Sequence, residues 1–197
     1  GATLERTGAM SIVLTALNAP RPLRVVARLL CWPIKWFGLR GDENMPAVTR
    51  ALSALGPAYI KFGQVLSTRP DLAGEELAKQ LRVLQDRLPP FSIEEAKKTF
   101  FIETGLLADE VFDEFSEAIA AASIAQVHLA KIKHEEQERQ VAIKILRPDI
   151  EKLFNEELDA LMLFAYIVEN TLTKAKRLKL VEVVHLLREI TNIEMDL

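Results

Sequence analysis

Apolar positions recur at helical spacing through the first half of the chain and then change period. Residues 43–55 have helical spacing and stop at Gly56-Pro57, where proline suits the first turn of a following helix. That helix carries Tyr59, Ile60, Phe62, Val65 and Leu66 and stops ahead of Pro70. Residues 74–88 follow, with Leu77, Leu81, Leu84 and Leu88 on one stripe that ends at Pro89-Pro90. Ser92 with Glu95 three positions on is a capping-box signature, which predicts a helix to near Thr104.

Beyond Gly105 the pattern shortens. Val111, Phe112, Phe115 and Ile119, then Ile124, Val127, Leu129 and Ile132, read as short strands on either side of a small-residue loop, Ala120 to Ser123. His134 to Gln140 is wholly polar and reads as a surface hairpin loop. Val141 to Leu146 reads as a compact buried strand. Pro148-Asp149 opens a long helix to near Leu172, with Ile150, Leu153, Phe154, Leu158, Leu161 and Phe164 facing inward. A basic turn (Lys174, Lys176, Arg177, Lys179) precedes a last helix from near Val181. Helices followed by a small antiparallel sheet make the expected fold class α+β.

Composition narrows this only a little. The 197 residues suffice for a real core, and 49% apolar with 27% charged is ordinary for a globular chain. A net charge of −3 gives no reason to expect nucleic acid. One cysteine, Cys31, forms no internal disulfide and suits a reducing compartment. The longest apolar run, Ala160 to Val168, is too short to span a bilayer and reads as a buried helix segment.

The distribution of charge is more telling. From Met10 to Arg40 there is no acidic residue, while Arg21, Arg24, Arg28, Lys35 and Arg40 alternate with aliphatic residues, Trp32, Trp36 and Phe37. This suits a peripheral membrane segment with indoles at headgroup level. A helix pair docking on the rest of the fold through the same apolar residues is the plainer alternative, because Pro20, Pro22 and Pro33 interrupt the pattern. A mitochondrial presequence would want more serine, and Gly1 to Gly8 is left out of the fold reasoning.

Four places carry candidate chemistry. Lys144 ends Val141-Ala142-Ile143-Lys144, where a lysine at the end of an apolar strand can reach phosphate oxygens. Snorkelling to solvent is the plainer fate of such a lysine. The Ala120-Ala121-Ala122-Ser123 loop stands where a glycine-rich loop would cradle phosphates; alanine should make it stiffer, and a tight turn admitting only small residues is the alternative. Lys61 and Gln64 share a helix face, and Gly63 between them costs about 1 kcal/mol against alanine, which points to a close approach. Glu194 and Asp196 lie two apart near the chain end and point to opposite sides of a helix, so they do not chelate one metal unaided.

Together these motifs resemble the UbiB/ADCK family of atypical protein-kinase-like proteins. The resemblance runs from about Asn44 to Leu197. It rests on a KxGQ motif (Lys61, Gly63, Gln64), an alanine loop (Ala120, Ala121, Ala122, Ser123, continuing to Gln126-Val127-His128), the strand lysine Lys144 before Arg147-Pro148, and an ExD motif (Glu194, Asp196).

The charge pattern sets off a basic aromatic segment over 1–41, and the resemblance implies a helical KxGQ extension over 42–105 and a partial kinase-like N-lobe over 106–197. It implies that the extension packs on the lobe, covers the face where a kinase binds peptide, and pairs with the ExD carboxylates. Implied cofactors are ATP or ADP with Mg²⁺. The implied partners are nucleotide, a lipid or membrane surface and proteins of ubiquinone (coenzyme Q) synthesis, with no nucleic acid. The implied location is peripheral, on the cytoplasmic side of a bacterial inner membrane or in a mitochondrial matrix. The catalytic loop and the Asp-Phe-Gly metal site do not occur within this sequence, so no metal ligand is assigned to it and catalysis by this chain alone is not expected. A non-catalytic module holding nucleotide or lipid is the competing reading. A purely helical interaction domain is the third.

Overall fold

The computed structural model describes residues 1–84, 90–134 and 137–196. The chain divides into a unit of Gly1–Gln85 with Phe154–Leu197 and a unit of Asp86–Leu153.

The first unit is helical. Helices α1 (Ala2–Arg6), α2 (Ala9–Ala16) and α3 (Arg21–Cys31) lead, and a 3-10 turn follows at Lys35–Phe37. Gly1 to Gly8, set aside in the sequence, thus includes a helix, and Arg6 fixes it by donating to the carbonyls of Trp36 and Gly38 at 2.6 and 2.7 Å. Helix α3 has Pro22 in its first turn, where the missing N–H costs nothing, and it buries no residue. The docked-helix alternative describes the first part of this segment, where Met10, Leu17 and Ala19 are buried, and not α3.

Helix α4 (Ala47–Leu55) starts after Pro46, later than its apolar spacing suggests, and stops at Gly56. Helix α5 (Pro57–Ser67) opens on its proline as expected. The 74–88 stripe is helical only as α7 (Glu75–Leu81), preceded by an unforeseen short helix α6 (Pro70–Ala73). Leu88 and Pro89 lie outside the described residues.

Helix α10 (Ile150–Thr171) runs through Phe154, Leu158, Leu161, Ala165 and Val168, all buried, and enters this unit from Phe154 onward. Leu153 and Phe164 are exposed instead of inward-facing, and so are Leu163, Tyr166 and Ile167 within the long apolar run. A 3.6-residue period lets one stripe face a core, whatever the other side carries. Helix α11 (Leu180–Met195) ends the described chain and packs against α5.

The second unit is a three-stranded antiparallel sheet with two helices. Ser92 and Glu95 form the expected reciprocal cap of α8 (Ile93–Thr104), and Gly105 in the left-handed region (φ 72°) ends it. Val111 closes a short helix, α9 (Ala108–Val111), instead of joining a strand. The strands are longer than expected: β1 (Glu114–Ala121), β2 (Ala125–His134) and β3 (Gln137–Leu146), in the order β1-β2-β3. The polar hairpin loop shrinks accordingly, because β2 and β3 stay paired to His134 and Gln137; Glu135 and Glu136 lie outside the described residues. One sheet face packs Ala130, Ile132, Val141 and Ile143 with Phe100, Ala108 and Phe112. The Phe100 and Phe112 rings meet edge to face at 5.3 Å.

Candidate functional site

Side chains on β2 and β3 alternate between faces, so register decides which residues share one. Val127 pairs with Ala120 on one side and with Lys144 on the other. Ala120, Val127 and Lys144 therefore form a cross-strand row on the face opposite the Phe112 core, spanning about 10 Å at normal strand spacing. Lys144 and Ala120 are both exposed.

The alanine motif is not wholly a loop. Ala120 and Ala121 belong to β1, and the turn is Ala122-Ser123-Ile124, closed by Ala122 N–H donating to the Ala125 carbonyl at 2.8 Å. No residue of this motif has a positive φ, so its backbone does not require glycine. Ser123 is fully buried.

Arg147, at the end of β3, holds this turn. Its Nε and Nη2 donate to the Ala122 carbonyl at 3.2 and 3.1 Å, and its backbone N–H donates to Ile124 O at 2.9 Å. Its guanidinium also lies 5.6 Å from the Phe91 ring centre. Burial lowers its pKa, from a value high enough that the cation persists.

On the inner face Gln126 and His128 are buried polar residues with partners. The Gln126 amide exchanges hydrogen bonds with the Phe91 backbone at 3.0 and 3.2 Å and meets His128 Nε2 at 2.9 Å. His128 Nδ1 lies 2.8 Å from Ser116 O, which accepts. Both contacts are satisfied by a neutral imidazole protonated at Nδ1. These residues brace β2 behind the Lys144 row.

The helical unit unites the other two motifs. Lys61 Nζ donates to both Glu194 carboxylate oxygens at 2.8 and 2.7 Å, so the expected pairing of the KxGQ lysine with the ExD glutamate is present. Lys61 is 14% exposed and Glu194 36%. Asp196 sits exposed at the C-cap of α11 and is not part of that pair. Gly63 is buried, and a Cβ there would come within 2.3 Å of Leu84 Cδ1 and 2.8 Å of Leu52 Cδ1. The close approach inferred from Gly63 is thus to α4 and to Leu84.

In a double-mutant cycle, Lys61→Met and Glu194→Gln should each cost more than their combination implies, with a coupling of about 1 kcal/mol. Equilibrium denaturation of the four proteins measures it; zero coupling would show that the ion pair contributes nothing to stability.

Glu157 escaped the sequence reading. It is 8% exposed and accepts from the Ala58 N–H at 2.8 Å, so it serves as a side-chain cap for α5, the helix that carries Lys61. Burial pushes its carboxyl up to about 7, opposed by the Ala58 hydrogen bond. The neighbouring Tyr59 phenol is raised by burial and then by Glu157.

Among the described residues no group of three or more His, Cys, Asp or Glu is placed to hold a metal, and no helix is long and apolar enough to cross a membrane. A cation at Lys144 beside short side chains does suit a nucleotide's phosphates.

Comparison with known proteins agrees with the motifs. The ABC1 atypical kinase-like domain matches residues 83–197. The chain is similar to a probable protein kinase UbiB of Azotobacter vinelandii, 42% identical over 178 residues, covering 89% of this chain and 32% of that protein. The corresponding figures for the probable protein kinase UbiB of Aeromonas hydrophila are 40% over 180 residues, 90% and 32%. For that of Vibrio atlanticus they are 44% over 148 residues, 75% and 27%. The chain spans about a third of the length of the curated relatives it matches. No solved structure matches it. The domain match and these identities show that the chain belongs to the UbiB/ADCK (ABC1) family of atypical kinase-like proteins.

Proposed function

We propose that this chain is the nucleotide-binding front portion of an atypical kinase or ATPase that serves ubiquinone synthesis. The observation that carries this reading is the Ala120-Val127-Lys144 row. Lys144 would supply positive charge to the phosphates of ATP or ADP, and Val127, Leu129 and Ala142 an apolar shelf beside it. Arg147, by holding Ala122, would keep the turn at the end of that row in place. Mg²⁺ would neutralise phosphate charge when bound, and this chain assigns it no ligand.

In the full-length protein, Lys144→Ala is expected to weaken Mg·ATP binding about tenfold by isothermal titration. Unchanged affinity would remove Lys144 from the site and favour the module reading.

The same protein would work at a membrane surface. Leu29, Leu30, Trp32, Trp36 and Phe37 are each more than 60% exposed, beside Arg21, Arg28 and Lys35. Lys35 lies 5.8 and 5.5 Å from the Trp32 and Trp36 rings. Arg28→Glu should cut co-sedimentation with anionic vesicles severalfold at low salt; a wild-type protein that stays in the supernatant would end the membrane reading.

A further inference from the structure

Strand β1 does not run evenly beside β2. Between Phe115 and Ala120 it takes five steps while β2 takes three, from Ala130 to Val127, with breaks in register on either side of Ala118. Such bulges leave backbone groups without ladder partners and re-aim the side chains beyond them. The side chains beyond them here are Ala120 and Ala121, the first of which lies in the row with Val127 and Lys144.

Two side chains satisfy the first bulge. Ser116 Oγ accepts from the Leu129 N–H at 2.9 Å, and the Ser116 carbonyl faces His128 Nδ1 at 2.8 Å. His128 is fully buried, with the Phe115 ring 4.8 Å from its own. A carbonyl only accepts, so the proton sits on Nδ1 and Nε2 is left to accept. Gln126 enforces that tautomer. Its Oε1 accepts from the Phe91 N–H at 3.0 Å and its Nε2 donates to Phe91 O at 3.2 Å. The amide nitrogen therefore turns its second N–H toward His128 Nε2, 2.9 Å away. A flipped amide would lose all three contacts.

Fixing the bulge fixes the register. A slip of β1 by one residue would put Ile119 or Ala121 opposite Val127 in place of Ala120. We infer that His128 is the positioning residue of the alanine motif. Its Nδ1–H, oriented by Gln126, holds the Ser116 carbonyl and so keeps Ala120 in the Lys144 row, where nucleotide would bind. The inference rests on the nucleotide reading and adds to it a residue on the opposite face of the sheet, acting without touching the ligand.

Asparagine and glutamine divide the two ring nitrogens between them, because the Asn amide can stand near Nδ1 and the Gln amide near Nε2. In the full-length protein, His128→Asn keeps a donor for Ser116, and its Kd for Mg·ATP should stay within about threefold of wild type. His128→Gln keeps only the Gln126 contact and should weaken Mg·ATP binding about tenfold or more by isothermal titration. Each variant gives up one buried hydrogen bond, so a purely structural role would lower Tm in both and leave their affinities equal. Equal affinities would overturn the inference. If His128→Gln does not fold, Ser116→Ala, which removes the acceptor of the Leu129 N–H, replaces it with the same expected loss. In wild type, a long-range proton–nitrogen NMR spectrum should place the ring proton on Nδ1; a ring protonated on Nε2 alone would overturn the inference as well. Wild type that binds no Mg·ATP would end the nucleotide reading and this inference with it. Wild type that binds, with the two variants alike, ends this inference alone.

Discussion

Replacing Gly56 by alanine should lower the unfolding free energy by about 3 kcal/mol or more, from two causes that can be separated. Gly56 lies between α4 and α5 at φ 133°, ψ −176°, a region open essentially to glycine alone. A Cβ built there would also sit 1.9 Å from Glu157 Oε1 and 2.7 Å from its Cδ. The Glu157 side chain is flexible, but moving it breaks the hydrogen bond to Ala58 and leaves the start of α5 without that partner. Urea denaturation of Gly56→Ala, alone and on a Glu157→Ala background, measures both parts. The backbone strain should persist in the double variant and the collision should vanish, so Gly56→Ala should cost roughly half as much there. Equal costs in the two backgrounds would show that the carboxylate does not occupy the space beside Gly56.

Much of this arrangement is legible in the amino-acid order, and what is not has identifiable causes. Pro57 at the start of α5, the Ser92/Glu95 capping box and the crowded Gly63 each act through local geometry, and each appears as read. The Lys61–Glu194 pair joins positions 133 apart in the chain, and only the family resemblance supplied it. The alanine motif was placed as a loop because small residues resemble turns, yet strand pairing extends through Ala121, where an exposed face tolerates a methyl group. Helices α6 and α9 are single turns, too short for a periodic signal to accumulate.

Glu157 is the instructive omission. In Phe154-Asn155-Glu156-Glu157-Leu158 two adjacent glutamates look alike, but Glu157 falls three after Phe154 and four before Leu161, on the buried stripe. A charged residue in register with a core stripe was the available signal. Arg147, directly after an apolar strand and before Pro148, offered a weaker one.

Glu157 should also make stability fall as pH rises. Its carboxyl titrates near 7 in the folded chain against an ordinary 4.5, so the folded state binds the extra proton between those values. A raised folded pKa gives a contribution that is complete below about 4.5 and is lost as pH climbs through about 7. Two and a half units correspond to at most about 3 kcal/mol, and solvent reaching the carboxyl at its 8% exposure brings the expected loss to between about 1 and 3 kcal/mol.

The Tyr59 phenol, raised above its usual 10, does not titrate in this window, and the Ala58 N–H that donates to the carboxylate carries no titrating proton. Glu157→Gln keeps an oxygen that can accept from Ala58 and removes the titration. Unfolding free energies at pH 5 and pH 8 should therefore differ less in Glu157→Gln than in wild type, with the variant the more stable of the two at pH 8. Other titrating groups contribute equally to both proteins, so the difference between their slopes isolates this one carboxyl. Parallel slopes would mean that Glu157 is solvated in the folded chain and that α5 starts without a buried acceptor. A flattened slope would make the helix bearing Lys61 and Gln64 most firmly capped at mildly acidic pH, because protonation removes the cost of burying the charge while one oxygen still accepts from Ala58.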